Sequence, residues 1–398
     1  MKPLEGVRVL DIATYIAAPY CATIMAEFGA EVIKVEMPGV GDPCRRLGTV
    51  SETGDTLVWL SEARNKKSIT LNLKSPKGQQ ILTSLVAKSD VLCENFRPGT
   101  LEGWNLGWDT LRALNEKLVM LRVSGYGQTG PYADRPGFGR IGNAFGGISF
   151  LAGDPDRPPA TPGSATLADY MAGLYGALGV VMALRSVEAT GVGQQVDIGL
   201  YEPIFRILDE LAPAYDKFGF IRQRMGAPTV NVCPHSHYPT RDGRWVAIAC
   251  TNDKIFARLA TLMGHGHVAG DGRYGTIAKR ETNRPGVDGM VTHWTMQYDQ
   301  DDAVRLCAEA EVPCGIVAAI DEIFNDPQYA ARKNIVRVAD SRLNADLAVP
   351  NVVPRLTQTP GSVDTLGPAL GAHNRQVFGA LLGFDAGQLA DLETKGVI

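Results

Sequence analysis

The stretch Pro162 to Leu184, PGSATLADYMAGLYGALGVVMAL, constrains the fold more than any other. Leu167, Met171, Leu174, Leu178, Val181 and Leu184 recur at helical spacing and predict an apolar face. Gly173, Gly176 and Gly179 recur every third residue on another face. Glycine costs a helix interior about 1 kcal/mol against alanine, so three of them predict that another backbone packs very close. One acid, Asp169, falls in the first turn of this otherwise neutral segment. Its position supports two readings. With Thr166 as N-cap, Asp169 sits at N3 and closes something like a capping box, which the helix dipole also favours. Alternatively, the dipole keeps a partly buried carboxylate ionised as a nucleophile.

A chain of 398 residues exceeds one ordinary core, and two domains are expected. The net charge of −4, without a basic block, argues against a nucleic-acid partner. The seven cysteines are scattered without a C-x-x-C pair, so neither a zinc site nor a disulfide framework is indicated. The six histidines show no H-E-x-x-H spacing, and no metal is expected. The opening MKPLEGVRVLD carries no apolar signal core. The longest apolar run, within 171–184, reads as too short and too glycine-rich to span a bilayer. A cytoplasmic protein without a membrane partner is the expectation.

Val7 to Ile12 reads as a buried strand, Tyr15 to Phe28 as a helix closed by Gly29, and Glu31 to Val35 as the next strand. This βαβ opening predicts an α/β fold with a parallel sheet. The turn ATYIAAP lacks G-x-G-x-x-G, which disfavours a nicotinamide or flavin cofactor. Ser68–Leu73, Asp90–Asn95, Leu118–Ser124 and Gln194–Leu200 supply further strands. GYGQTGPYADRPGFGRIGNAFGG, after Ser124, reads as a glycine-rich loop without a helix for about 20 residues, a length associated with function or disorder. Arg45 and Arg46 stand together in GVGDPCRRLGT, either as a solvated loop or as an anion site. From Met225 the texture changes, and 225–320 is assigned to a smaller α/β domain. The segment 373–395 reads as a helix carrying Phe378, Leu381 and Leu389 that docks back on the first domain. The large domain is therefore discontinuous, 1–224 with 321–398.

Several fragments together resemble the family III CoA-transferases, the superfamily of formyl-CoA and carnitine-CoA transferases. They are PLEGVRVLDIATYIAAPYCATIMAEFGAEVIKVE, NKKSITLNLKSPKG, ENFRPG, SGYGQTGP, the helix around Asp169, TGVGQQVDI and VPCGIV. Their order and intervals match over essentially the whole chain. The resemblance implies a Rossmann-like large domain and two chains interlocked as a homodimer. It places the catalytic aspartate at Asp169. It implies CoA contacts at Ile16, Ala17, Leu71, Lys74, Asn95, Phe96, Arg97, Arg135 and Phe138, with an acyl-CoA thioester as substrate and no permanently bound cofactor. Core packing is the competing reading for Leu71 and Phe96.

Three positions depart from the family pattern. Met37 stands where a basic residue often follows the second strand, Gly103-Trp104 where an arginine commonly follows ENFRPG, and Ala372 where the family carries an acid. An acyl-CoA racemase of the same superfamily is the alternative. Its two-base chemistry uses a histidine in the glycine-rich loop, where this chain has Phe138, and no histidine precedes His235. Arg45, Arg46, His235 and His237 are candidate readers of a second carboxylate. They point to short dicarboxylic acids of the succinate, malate, citramalate or mesaconate kind. The competing reading has the two histidines capping a domain-boundary turn.

Overall fold

A computed structural model describes residues 1–164 and 166–398. Six strands form its main sheet: β1 (Arg8–Asp11), β2 (Glu31–Glu36), β3 (Lys66–Thr70), β4 (Val91–Glu94), β5 (Val119–Ser124) and β6 (Gln195–Gly199). Their order is β3-β2-β1-β4-β5-β6, and every pairing is parallel. Helices cover both faces, so the central strands read as nearly continuous apolar runs rather than alternating ones. Leu10, Ile33, Leu92 and Met120 pack towards the helix Pro76–Val86 and the C-terminal segment. Val9, Val32, Val91 and Leu121 pack towards α1 (Ala17–Glu27) and the long helix Leu167–Thr190.

The C-terminal segment is two helices, Asn374–Leu382 and Ala386–Thr394, rather than one. Gly383, at φ 71°, turns the chain, and Asp385 opens the second helix in a capping box with Gln388. Val377, Phe378, Leu389 and Leu392 are buried in the core below the sheet, as the docking expectation required. β3 begins two residues before the expected strand, and Leu71–Leu73 lie beyond its end. The expected long loop after β5 contains the helices Gly139–Phe145 and Ile148–Leu151. Glycine and the aromatic residues of FGRIGNAFGG weaken the local helix signal, and packing supplies it instead.

The long helix bears out the close backbone approach at its glycines and corrects two other expectations. Its buried residues are Ala168, Ala172, Gly173, Gly176, Ala177, Val180 and Ala183, whereas Leu174, Leu178, Val181 and Met182 are exposed in this single chain. A Cβ on Gly173 would stand 2.6 Å from the Ala17 carbonyl oxygen, and one on Gly179 2.8 Å from Val196. The glycines therefore seat α1 and the sheet, while the leucine stripe faces outward. Thr166 occupies the N-cap position without a side-chain bond to the helix. Its hydroxyl pairs with Ser164 Oγ at 2.5 Å, so no capping box forms around Asp169. At 24 residues the helix is long and apolar enough to cross a membrane by length and composition, contrary to the shorter run read from sequence.

The chain divides into two compact units, one of Met1–Ser149, Thr161–Phe220 and Ala330–Ile398, the other of Phe150–Ala160 and Ile221–Tyr329. Phe150–Ala160, within the 1–224 that the sequence assigns to the large domain, belongs to the second unit. The second unit has an antiparallel sheet of β7 (His235–Pro239), β8 (Trp245–Ala249) and β9 (Cys314–Ile316). Tyr238, Phe256, Val287, Trp294 and Cys307 form its core. His235 and His237 lie along β7 rather than capping a turn, and its buried positions are Ser236 and Tyr238.

Candidate active site

In the order β3-β2-β1-β4-β5-β6 the chain reverses direction between β1 and β4. Crevices beyond the carboxyl ends of strands at such a switch point are where open α/β sheets bind ligands. A cavity of about 280 Å³ lies there in the first unit. Thr14, Tyr15 and Ala17 follow β1; Asn95, Phe96, Arg97 and Pro98 follow β4; Val123, Ser124 and Gly125 end β5. Arg135, Pro136, Gly137, Phe138, Leu200 and Asp169 complete the wall. Seven expected residues therefore meet: Asp169, Ala17, Asn95, Phe96, Arg97, Arg135 and Phe138.

Close backbone packing holds the wall in place. Gly173 against Ala17 brings the start of α1 to the helix that carries Asp169. A Cβ on Gly142 would reach Ala168 Cβ at 3.1 Å, so a second helix presses on the residue beside Asp169. Asn95 receives the Thr14 N–H at 2.8 Å and donates to the Thr14 carbonyl at 2.7 Å. Its amide thus clamps the turn after β1. Tyr15 takes the left-handed conformation, φ 62°, and donates its N–H to Asp42 at 3.0 Å. The Tyr15 ring meets Phe138 edge to face at 6.2 Å between centroids.

Sequence reasoning missed Gly137 and Asp197, whereas Gly125 falls in the glycine-rich segment GYGQTGP that it singled out. A Cβ on Gly137 would stand 2.7 Å from Gly125 Cα, so the two backbones touch across the loop. Asp197, on β6, accepts the Gln128 N–H at 3.0 and 3.1 Å and anchors the loop's start. Gly137 was visible only as composition, and Asp197 only as a fragment of TGVGQQVDI.

The other expected residues lie elsewhere. Ile16 is buried with Cys44, Trp59 and Leu60, and Leu71 is in the core beneath the sheet. Lys74 is exposed ahead of the helix Pro76–Val86. None of the three lines the cavity. Arg45 is buried and fully engaged. Its donors reach Glu36, Asp55 and the Pro368 carbonyl at 2.7–3.1 Å, and its guanidinium lies 3.8 Å from the Trp59 ring centre. It has no donor left for a ligand. Arg46 is exposed and donates to the Val40 carbonyl. His235 and His237 belong to the second unit.

Two cations line the cavity, Arg97 and Arg135. Arg135 stacks 3.6 Å from the Tyr132 ring centre. Neither has an ion-pair partner among the described residues. Burial pushes the Asp169 carboxyl up to about 6, outweighing the pull of the helix N-terminus. A carboxylate poised there is ionised at neutral pH and poorly solvated, which favours attack on an electrophile. Among the described residues no group of His, Cys, Asp and Glu is arranged to hold a metal ion.

Residues 4–374 match the model of CoA-transferase family III. The β subunit of succinyl-CoA–L-malate CoA-transferase from Chloroflexus aurantiacus is 51% identical over 100% of this chain and 98% of its own. Succinyl-CoA–D-citramalate CoA-transferase of the same organism is 46% identical over 100% and 98%. A CAIB/BAIF family protein from Brucella suis superposes with a TM-score of 0.85 at 32% identity, covering 96% of this chain and 99% of that one. The match spans nearly the whole length, and the chain belongs to CoA-transferase family III.

Proposed function

We propose that this CoA-transferase moves CoA between short dicarboxylic acids, with Asp169 as covalent nucleophile. The observation that carries the reading is one cavity that joins Asp169 to the turns Thr14–Ala17 and Asn95–Pro98 and to the loop Arg135–Phe138. The Asp169 carboxylate attacks the thioester carbonyl; the C–S bond breaks, leaving an acyl–aspartyl anhydride and CoA thiolate. The thiolate then attacks the aspartyl carbonyl and releases the donor acid as carboxylate, giving an aspartyl-CoA thioester. The acceptor carboxylate repeats both steps in reverse. Backbone N–H groups around Gly125 and Gly137 are suited to the developing oxyanions. Ala17, Asn95, Phe96, Arg97 and Phe138 line the path of CoA. The match to malate and citramalate transferases supports dicarboxylate substrates. With Arg45 engaged internally, Arg135 is the cation placed to read a second carboxylate.

Phe138 in the wall, with no histidine beside it, leaves a racemase without its second base. The exposed Leu174, Leu178, Val181 and Met182 support a homodimer that covers them, and we place the protein in the cytoplasm. The test is transfer from succinyl-CoA to a panel of acids. Malate, citramalate and mesaconate should exceed butyrate in kcat/KM at least about tenfold, the worth of one charge-assisted hydrogen bond. Equal rates would contradict the dicarboxylate reading.

A further inference from the structure

The end of β5 carries a polar group that neither the fold nor the chemistry above uses. Ser124 is 8% exposed, and its Oγ has no hydrogen-bond partner among the described residues. Its backbone is fixed: β5 pairs with β6 through Ser124, and the Ser124 carbonyl accepts the Leu200 N–H at 2.9 Å. Behind it, the Gly125–Gly137 contact prevents the chain from shifting. A buried hydroxyl without a partner costs stability unless something satisfies it, and this one lines the cavity that contains Asp169.

Strand alternation tells which side of the cavity it serves. Leu121 and Val123 face α1 and the long helix. Met120 packs on the opposite face, and Arg122 meets Glu94 there at 2.7 Å. Ser124 continues the Met120–Arg122 series. It therefore stands beside the exit of β4, where Asn95, Phe96, Arg97 and Pro98 form the neighbouring wall. Glu94 fixes that wall by accepting the Phe96 N–H at 2.7 Å. Asn95 is oriented by Thr14 through both its amide oxygen and its amide nitrogen, and Phe96 offers only a ring, so this wall has no side-chain hydroxyl of its own.

We infer that the Ser124 hydroxyl is a substrate-binding group that hydrogen-bonds an amide of the CoA pantetheine arm as it passes the Asn95–Pro98 turn. The assignment rests on the CoA-transferase reading. It makes a contact equal in ground and transition states, which acts on affinity and not on turnover.

The test is Ser124→Ala in the full-length protein, with Ser124→Gly as a second route to the same deletion. Titration calorimetry with free CoA and kinetics with succinyl-CoA are measured together with thermal unfolding. Both variants should raise the CoA Kd and the succinyl-CoA KM about fivefold, with kcat unchanged. Ser124→Ala should not lower Tm, because it removes a group without a partner. Wild-type protein that binds CoA, alongside variants of equal affinity, would overturn this assignment alone. A lowered Tm with unchanged affinity would do the same by showing a structural role. Wild-type protein that binds no CoA would overturn the transferase reading as well.

Discussion

Arg45 and Arg135 are both arginines stacked on an aromatic ring, at 3.8 and 3.6 Å from the ring centre. One is structural and the other faces a cavity. Around Arg45, every charge is answered from within. Asp11 takes Lys66 at 2.9 Å, Asp42 takes Lys34 at 2.7 Å, and Glu36 takes Arg45 and Ser68. This closed network joins β1, β2 and β3 and, through Asp42, sets the backbone of Tyr15. At the ends of β4 and β5, groups remain open: Arg97, Arg135, Ser124 and Asp169 line one cavity. Saturated polar groups hold β1, β2 and β3 together, and unsaturated ones line the cavity beyond the strand ends.

Removing Arg45 should break the closed side of that contrast. Arg45→Ala leaves the buried Glu36 and the partly buried Asp55 without their counterion, a loss of about 3–5 kcal/mol dominated by Glu36. Urea unfolding should show it as a large fall in midpoint with little change in slope. A midpoint near wild type would mean that the network does not hold β2 in place. The open side should respond in the opposite way. Arg135→Ala should leave the unfolding midpoint near wild type and cost at least about tenfold in kcat/KM for dicarboxylate acceptors. The loss should be much smaller for butyrate. A lowered midpoint with unchanged discrimination would make Arg135 another structural arginine.

Asp169 sharpens the comparison through pH. Its carboxyl is raised from 3.8 to about 6 by burial. The nucleophile is the ionised form, so kcat/KM should rise with pH through about 6 and level off above it. One unit below that value the rate should be about tenfold under the plateau. For stability the sign reverses. The folded state holds the proton more tightly than the unfolded one, so this group stabilises below pH 3.8, and that contribution is lost as pH rises through 6. Asp169→Asn should abolish transfer and remove this group's contribution to the pH dependence of stability. A rate profile flat from pH 5 to 8 would contradict an ionising nucleophile.

The strands of the sheet were legible because strands buried on both faces are written as apolar runs, VLCE and VMLRVS among them. The position of Asp169 was legible as a lone acid in a helix's first turn, and its role came from the family resemblance. What failed depended on contacts distant in sequence. Periodicity showed two faces on the long helix and its glycines marked the one another backbone approaches, but neither showed that this backbone would be α1. Glycine proved the marker of burial, because only it admits the Ala17 carbonyl. Arg45 looked like an anion site because its partner Glu36 and the Trp59 ring converge only in three dimensions. The helix Gly139–Phe145 was hidden by glycines whose small size fits Leu200 and Ile204. Ser124 read as an ordinary strand end, since a missing hydrogen-bond partner has no sequence signature.

Covalent capture of Asp169 decides the mechanism most directly. The protein is incubated with succinyl-CoA and no acceptor, reduced with borohydride, digested and analysed by mass spectrometry. A nucleophilic Asp169 predicts homoserine at position 169 and nowhere else, with no conversion in Asp169→Asn. Conversion at another carboxylate, or full transfer activity in Asp169→Asn, would contradict it.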